Sequence, residues 1–454
     1  MVKYCKVSTR NERKPCKMKP SKKRHTTQMD WVQVELKSLI DARHPLVKLS
    51  HQINWKAFDD KFGVGYAEEG RPAVETRLMV ALNYLKWTYD LSDEDVVTFW
   101  VENPYWQYLS GRQYFEHVMP IDPSSMTRWR KRIGIDGAEE LLKQTVLTAI
   151  KSGYLKPKDC ERVNVDTTVQ TKDIRFPTDA RLYDRMREVL VSAAKETGID
   201  LRQSYERVGK KALRRQQNYG HAKQFNRMKR ETKRLKTFLG RVTRDIERKM
   251  SSDDTEILNK IILAKRILAQ EKDSKNKIYS VHEPQVECIA KGKANQRYEF
   301  GNKAGIVTSA KSNWILGALG FEGNPYDGHT LKDSLKQAQQ MTGVQINQAT
   351  CDLGYRGHGV EDTKVLIVPR NKRGAARELQ KWWRRRNAIE PIIGHGKSEH
   401  RLQRNRLAGG YGDQLNVVLS ACGFNFKKLW RAFCAWLRML VESVPVPGVV
   451  LRFS

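Results

Sequence analysis

Residues 162–169 read Arg-Val-Asn-Val-Asp-Thr-Thr-Val, and the period of that stretch rules out an all-helical chain. Val163, Val165, Thr167 and Val169 fall on one face of an extended segment, and Asn164, Asp166 and Thr168 on the other. Upstream the period is helical. Val74, Leu78, Ala81, Leu82 and Leu85 recur at helix spacing after Pro72, and Ser92 precedes Asp93, Glu94 and Asp95 as an N-cap with acids in the first turn. A chain that changes period in this way is α/β. Asp166 is its unusual residue, because aspartate is depleted from strands; it is a solvent-face acid or one kept for a purpose such as holding a metal ion.

After this strand the sequence predicts a long, basic, mainly helical insertion over 179–275, with helices over 181–196, within 202–249 and over 253–270. So polar a pair of long helices must lie on something: DNA backbone, a coiled-coil contact between subunits, or only water around a solvated hairpin. Strand patterns return at 279–282 and 285–290, then as a hairpin of 303–310 and 314–321 around Lys311-Ser-Asn. A helix follows from Asp327 to Met341, a strand from Val344 to Asp352, and a short strand from Val365 stopped by Pro369. The apolar segment 415–440 should cover the sheet. Domain bounds follow: a disordered basic arm, 1–28; a helical N-terminal domain, 29–156; a sheet domain, 157–178 and 295–412; the insertion with a small hairpin, 179–294; and a C-terminal core helix and tail, 413–454.

Charge narrows the partners. With 83 basic against 51 acidic residues the formal net charge is +32, which fits a polyanion, nucleic acid first. The arm is either a solvated tail or a non-specific phosphate contact. Residues 124–132 form a capped basic helix bearing Arg128, Arg130, Lys131 and Arg132; it reads equally as the second helix of a helix-turn-helix and as a solvated helix of a bundle. Seven scattered cysteines without a CxxC pair point to a reducing compartment. Neither a signal peptide nor a membrane span is expected, so the protein should be cytoplasmic and, in a bacterium, nucleoid-associated.

The densest chemistry lies in Lys381–His400, where Glu390 is set among cations. On one continuous helix Trp383, Arg386, Glu390 and Lys397 would fall within about 60° of one face. Pro391 disturbs that geometry: it disfavours helical backbone at Glu390 and removes the bond to Asn387, so a kink or a new helical start is expected there. With Asp166 and Asp352, Glu390 gives three acids on separate elements, the last two 38 residues apart. Three carboxylates can hold two Mg²⁺ ions for phosphoryl transfer.

These residues resemble those of the Asp-Asp-Glu transposases of bacterial insertion sequences, in the group with a Tyr-x2-Arg-x3-Glu-x6-Lys signature. Here the signature reads Trp383, Arg386, Glu390 and Lys397. The likeness extends to Asn164-Val-Asp-Thr-Thr, Tyr298-Glu-Phe-Gly-Asn-Lys, Asp327-Gly-His-Thr, Asp352-Leu-Gly-Tyr-Arg-Gly and His400-Arg-Leu-x-Arg-Asn-Arg-Leu, and covers about residues 40–435. Trp383 keeps the aromatic ring of the signature and loses its hydroxyl, and Gly396 stands where a bulkier apolar residue is expected. The resemblance implies an RNase H-like fold, with Asp166, Asp352 and Glu390 as catalytic metal ligands. It also implies Mg²⁺ in two sites, with Mn²⁺ as a substitute, and DNA contacts from Trp383, Arg386, Lys397, Tyr355 and Arg356. The partners it implies are double-stranded DNA, as terminal inverted repeats and target, and a second copy of the chain in a synaptic homodimer. Two other readings of the same residues are an RNase H-like metal-dependent nuclease that cuts without joining and a non-catalytic DNA-binding descendant.

Overall fold

The computed structural model describes residues 34–63, 73–251, 254–271, 273–290, 297–368 and 377–443. The expected arm over 1–28, Pro72 and Pro369 lie outside them.

Among the described residues eight helices precede the first strand: α1 (Leu36–Leu39), α2 (Pro45–Gln52), α3 (Trp55–Gly63), α4 (Thr76–Thr88), α5 (Asp93–Glu102), α6 (Pro104–Leu109), α7 (Ser124–Lys151) and α8 (Pro157–Cys160). The expected cap of α5 is a full capping box: Ser92 Oγ accepts from the Asp95 amide while the Asp95 carboxylate accepts from the Ser92 amide. Gly134 takes φ 72° and ψ −170°, breaking α7 just after the basic segment 124–132. α4 is buried on almost every side, because it is the central helix of this layer.

The sheet contains β1 (Arg162–Thr171), β2 (Glu287–Ala290), β3 (Tyr298–Ser309), β4 (Ile315–Phe321), β5 (Gln348–Cys351) and β6 (Lys364–Ile367). Its order is β2-β3-β1-β5-β6, with β4 also on β3. The β2, β4 and β1 pairings with β3 are antiparallel, while β1–β5 and β5–β6 are parallel. The hairpin is longer than its sequence pattern, starting at Tyr298. Residues 279–282, expected as a strand, are irregular, and β2 joins the main sheet although the sequence reading left it in the insertion. Both faces of β1 are covered: Val163 and Val165 are buried, and so are Asn164, Thr168 and Gln170.

Between β1 and β2 run α9 (Asp179–Glu196), α10 (Glu206–His221), α11 (Phe225–Lys249) and α12 (Thr255–Ala269). These helices pack on one another, where the sequence pattern suggested that so polar a pair must lie on something else. Leu235, Leu239, Val242 and Ile246 of α11 pack with Met186 and Leu190 of α9 and Ile261 of α12 in a core separate from the main one. Each such side chain, taken out of water, contributes roughly 1.5–3 kcal/mol.

The chain continues through α13 (Asp327–Thr342), α14 (Arg377–Arg386), α15 (Ile389–Glu399) and α16 (Gly409–Ser443). α16 covers the sheet, as expected, and also packs on α4 and α7, so N-terminal helices and sheet share one hydrophobic core. The break between α14 and α15 falls at Asn387 and Ala388. Pro391 sits in the first turn of α15, where its missing N–H costs nothing, and the Glu390 amide donates to the Asn387 carbonyl at 3.3 Å.

Candidate active site

Parallel pairing sets two of the acids side by side. Asn164 is opposite Thr350, so two residues further along, Asp166 comes level with Asp352 just beyond the end of β5. Asp352 caps the 3-10 turn Leu353–Tyr355, its Oδ1 accepting from the Gly354 amide at 3.0 Å, which leaves Oδ2 turned to the site. Asp166 Oδ1 accepts from the Thr167 amide at 2.8 Å. On the other side, Asn164 donates through Nδ2 to the carbonyl of Arg385 at 2.9 Å and so anchors the end of α14 against β1.

That anchor delivers Arg386. Its Nη2 lies 2.7 Å from Asp166 Oδ2 and 3.6 Å from Asp352 Oδ2, and its Nη1 lies 3.4 Å from Glu390 Oε1. Three carboxylates from a strand, a strand end and a helix start thus meet at one guanidinium. They differ in exposure, the side chains being 14% exposed for Asp166, 42% for Asp352 and 65% for Glu390. Burial pushes the Asp166 carboxyl up to about 6, Arg386 pulling it down and Asp352 pushing it further up.

The donor set fits a hard cation: all three acids present oxygen, and they already surround positive charge. Among the described residues no three His, Cys, Asp or Glu side chains are close enough to form a metal-binding group as they stand. Arg386 lies between the three acids.

Other expected residues fall in different places. Lys397 Nζ is 3.8 Å from Glu299 Oε2 of β3, so it ties α15 to the sheet. Trp383 is half-buried; the buried aromatic is its neighbour Trp382, beneath the Arg162 guanidinium at 5.1 Å. Arg356 is exposed, but Tyr355 is 0% exposed and its hydroxyl has no partner among the described residues, which corrects its expected role as a DNA contact in this conformation. Arg128, Lys131 and Arg132 are exposed. Arg130, expected beside them, is 2% exposed and forks onto Asp93 at 2.8 and 2.5 Å, because the start of α5 needs a countercharge inside the core. Lys86 shares that aspartate at 2.6 Å. Burial pushes the Asp93 carboxyl up, but Arg130 and Lys86 outweigh it and hold it at about 2.

Sequence reasoning gave no role to three side chains that border the acids. Thr167 donates its hydroxyl to Asp327 at 2.7 Å, and Lys303 donates to the same carboxylate at 2.9 Å. Asp327 stood in a noted motif, but only the packing of α13 on β1 brings it to the site.

Two family models match the chain: "Transposase domain (DUF772)" over residues 34–132 and "Transposase DDE domain" over residues 361–430. The chain belongs to the Asp-Asp-Glu transposases of insertion sequences. The second match contains Arg386, Glu390 and Lys397; Asp166 and Asp352 lie upstream of it. Among relatives, the chain is 54% identical over 196 residues to an uncharacterized protein, ORF8 in the nfe locus of Rhizobium meliloti, a stretch covering 43% of this chain and 95% of that one. No solved structure matches. No helix among the described residues is long and apolar enough to cross a membrane.

Proposed function

We propose that this transposase cuts DNA strands at the ends of its element and joins the freed 3′-hydroxyls to target DNA, on an RNase H-like catalytic domain. The observation that carries the reading is the meeting of Asp166, Asp352 and Glu390 at Arg386. The antiparallel β3–β1 pair continued by parallel β5 and β6 supports the fold assignment.

The three acids would hold Mg²⁺ in two sites, with Mn²⁺ as a substitute; when bound, such ions supply Lewis acidity at phosphate and make the attacking water or hydroxyl a better nucleophile. The chain's own part is placement. Asn164 and Lys397 fix α14 and α15 against the sheet, so that Glu390 faces the strand acids. Arg386 has a planar fork suited to a phosphate once its carboxylates have another cation. Arg128, Lys131, Arg132 and Arg356 are exposed and would position the duplex through its backbone, with Trp383 beside the signature helix. In the first step water attacks the phosphorus and the 3′-oxygen leaves with a proton; in the second that 3′-hydroxyl attacks a target phosphodiester and displaces another 3′-oxygen. One phosphodiester is exchanged for another in the joining step, so no energy cofactor is required. Two copies of the chain would hold the two ends, in the cytoplasm and on the nucleoid.

The test uses a labelled duplex ending in the element's inverted repeat, incubated with Mg²⁺ and a target plasmid. End cleavage together with labelled plasmid is expected. Cleavage without labelled plasmid would leave a nuclease, and binding without cleavage a DNA-binding descendant.

A further inference from the structure

We propose that Asp327 is a positioning residue, holding Asp166 and Asp352 in place for the reaction without itself touching DNA; the inference rests on the catalytic reading above. Asp327 is the first residue of α13, and its side chain reaches three parts of the site. Oδ1 accepts from Thr167 Oγ1 at 2.7 Å and from Lys303 Nζ at 2.9 Å. Thr167 also donates its amide to Asp166 Oδ1 at 2.8 Å, so this one threonine is held between a catalytic acid and Asp327. Lys303 stands on β3 opposite Val169 of β1, and it also donates to the Pro325 carbonyl just before α13.

The second carboxylate oxygen faces the turn after β5. A Cβ at Gly354 would lie 2.8 Å from Asp327 Oδ2 and 3.1 Å from Asp352 Oδ1, so a bare α-carbon is what lets the two carboxylates flank this turn. The far end of the turn is closed by Tyr326, whose hydroxyl donates to the Arg356 carbonyl at 2.9 Å. The start of α13 therefore latches the Asp352 turn to the Asp166 strand. With its Oδ1 taken by two donors and its charge met by a lysine, Asp327 is placed to orient ligands. Supporting groups of this kind cost roughly 10–100-fold in metal affinity or activity when removed.

The experiment measures Mn²⁺ binding to the full chain by calorimetry, and the rate of end cleavage alongside DNA affinity. Asp327→Ala should weaken Mn²⁺ binding and slow cleavage by about 10-fold or more, with DNA affinity unchanged. Asp327→Asn keeps an oxygen for Thr167 and should recover most of the loss. Thr167→Val, which removes only the hydroxyl, should reproduce the alanine effect and add nothing to it in the double variant. The proposal is overturned if Asp327→Asn is as defective as Asp166→Asn, which would make Asp327 a ligand. It is equally overturned if Asp327→Ala binds Mn²⁺ like the wild type, or if the Thr167 and Asp327 effects simply add. A wild-type chain that shows this coupling in Mn²⁺ binding yet cleaves no DNA would refute the proposed function and leave the role of Asp327 standing.

Discussion

Arg386 Nη2 donates to Asp166 Oδ2 at 2.7 Å across 220 residues of sequence, and this bond places a fixed cation among the acids of the site. On the proposed reading Arg386 and a divalent ion would compete for the same carboxylates. Arg386→Gln should lower the melting temperature of the metal-free protein, because Asp166, Asp352 and Glu390 are left facing one another. Mn²⁺ should then raise it by more than it raises the wild type, since a tighter site stabilises in proportion to the logarithm of ligand over Kd. Equal Mn²⁺ shifts in the two proteins would contradict the competition.

Arg130 and its exposed neighbours should separate by assay. Arg130→Ala strips Asp93 of the fork onto both its oxygens, leaving Lys86 to pair with it, and should cost roughly 1.5–3 kcal/mol in urea unfolding. Arg128→Ala and Lys131→Ala should leave stability nearly unchanged and weaken binding to all duplexes alike. A stable Arg130→Ala that only loses DNA affinity would restore the surface role.

His400 makes stability depend on pH. Burial lowers its pKa from about 6.5 to about 4, and Nδ1 lies 2.8 Å from the Trp87 carbonyl. The unfolded chain binds the proton more readily than the folded one, so this contribution is full above pH 6.5 and is lost as pH falls towards 4. The loss should reach roughly 2 kcal/mol by pH 5. His400→Asn keeps a donor for the carbonyl and should flatten the melting-temperature profile between pH 7 and 5; an unchanged slope would assign it to other groups.

Lys211 and Arg215 lie on the exposed side of α10, away from the insertion's core. If that side tracks DNA backbone, the double alanine variant should reduce the slope of log affinity against log salt by about 2. A subunit contact would instead leave the slope intact and weaken self-association.

The local parts of the structure were legible. The alternation around Asp166, the cap at Ser92 and the break that Pro391 imposes are properties of a few adjacent residues, and each appears where expected. What involved distant partners was not. Arg130 looks like its neighbours until α5 presents Asp93 to it, and Lys397 looks free to grip phosphate until β3 presents Glu299. The insertion was misjudged for a different reason: Leu235, Leu239, Val242 and Ile246 do form an apolar stripe, but the surrounding lysines and arginines hide it in the average composition. Three acids could be named from the sequence, while their convergence on Arg386 depended on the β1–β5 register and the Asn164 anchor.

The most direct test of the central claim measures Mg²⁺-dependent end cleavage and end binding for Asp166→Asn, Asp352→Asn and Glu390→Gln. Each variant should lose cleavage and strand transfer entirely while binding the terminal repeat within about threefold of wild type, as expected for groups that act on the transition state. Cleavage at the wild-type rate by any one of them would contradict the three-acid site.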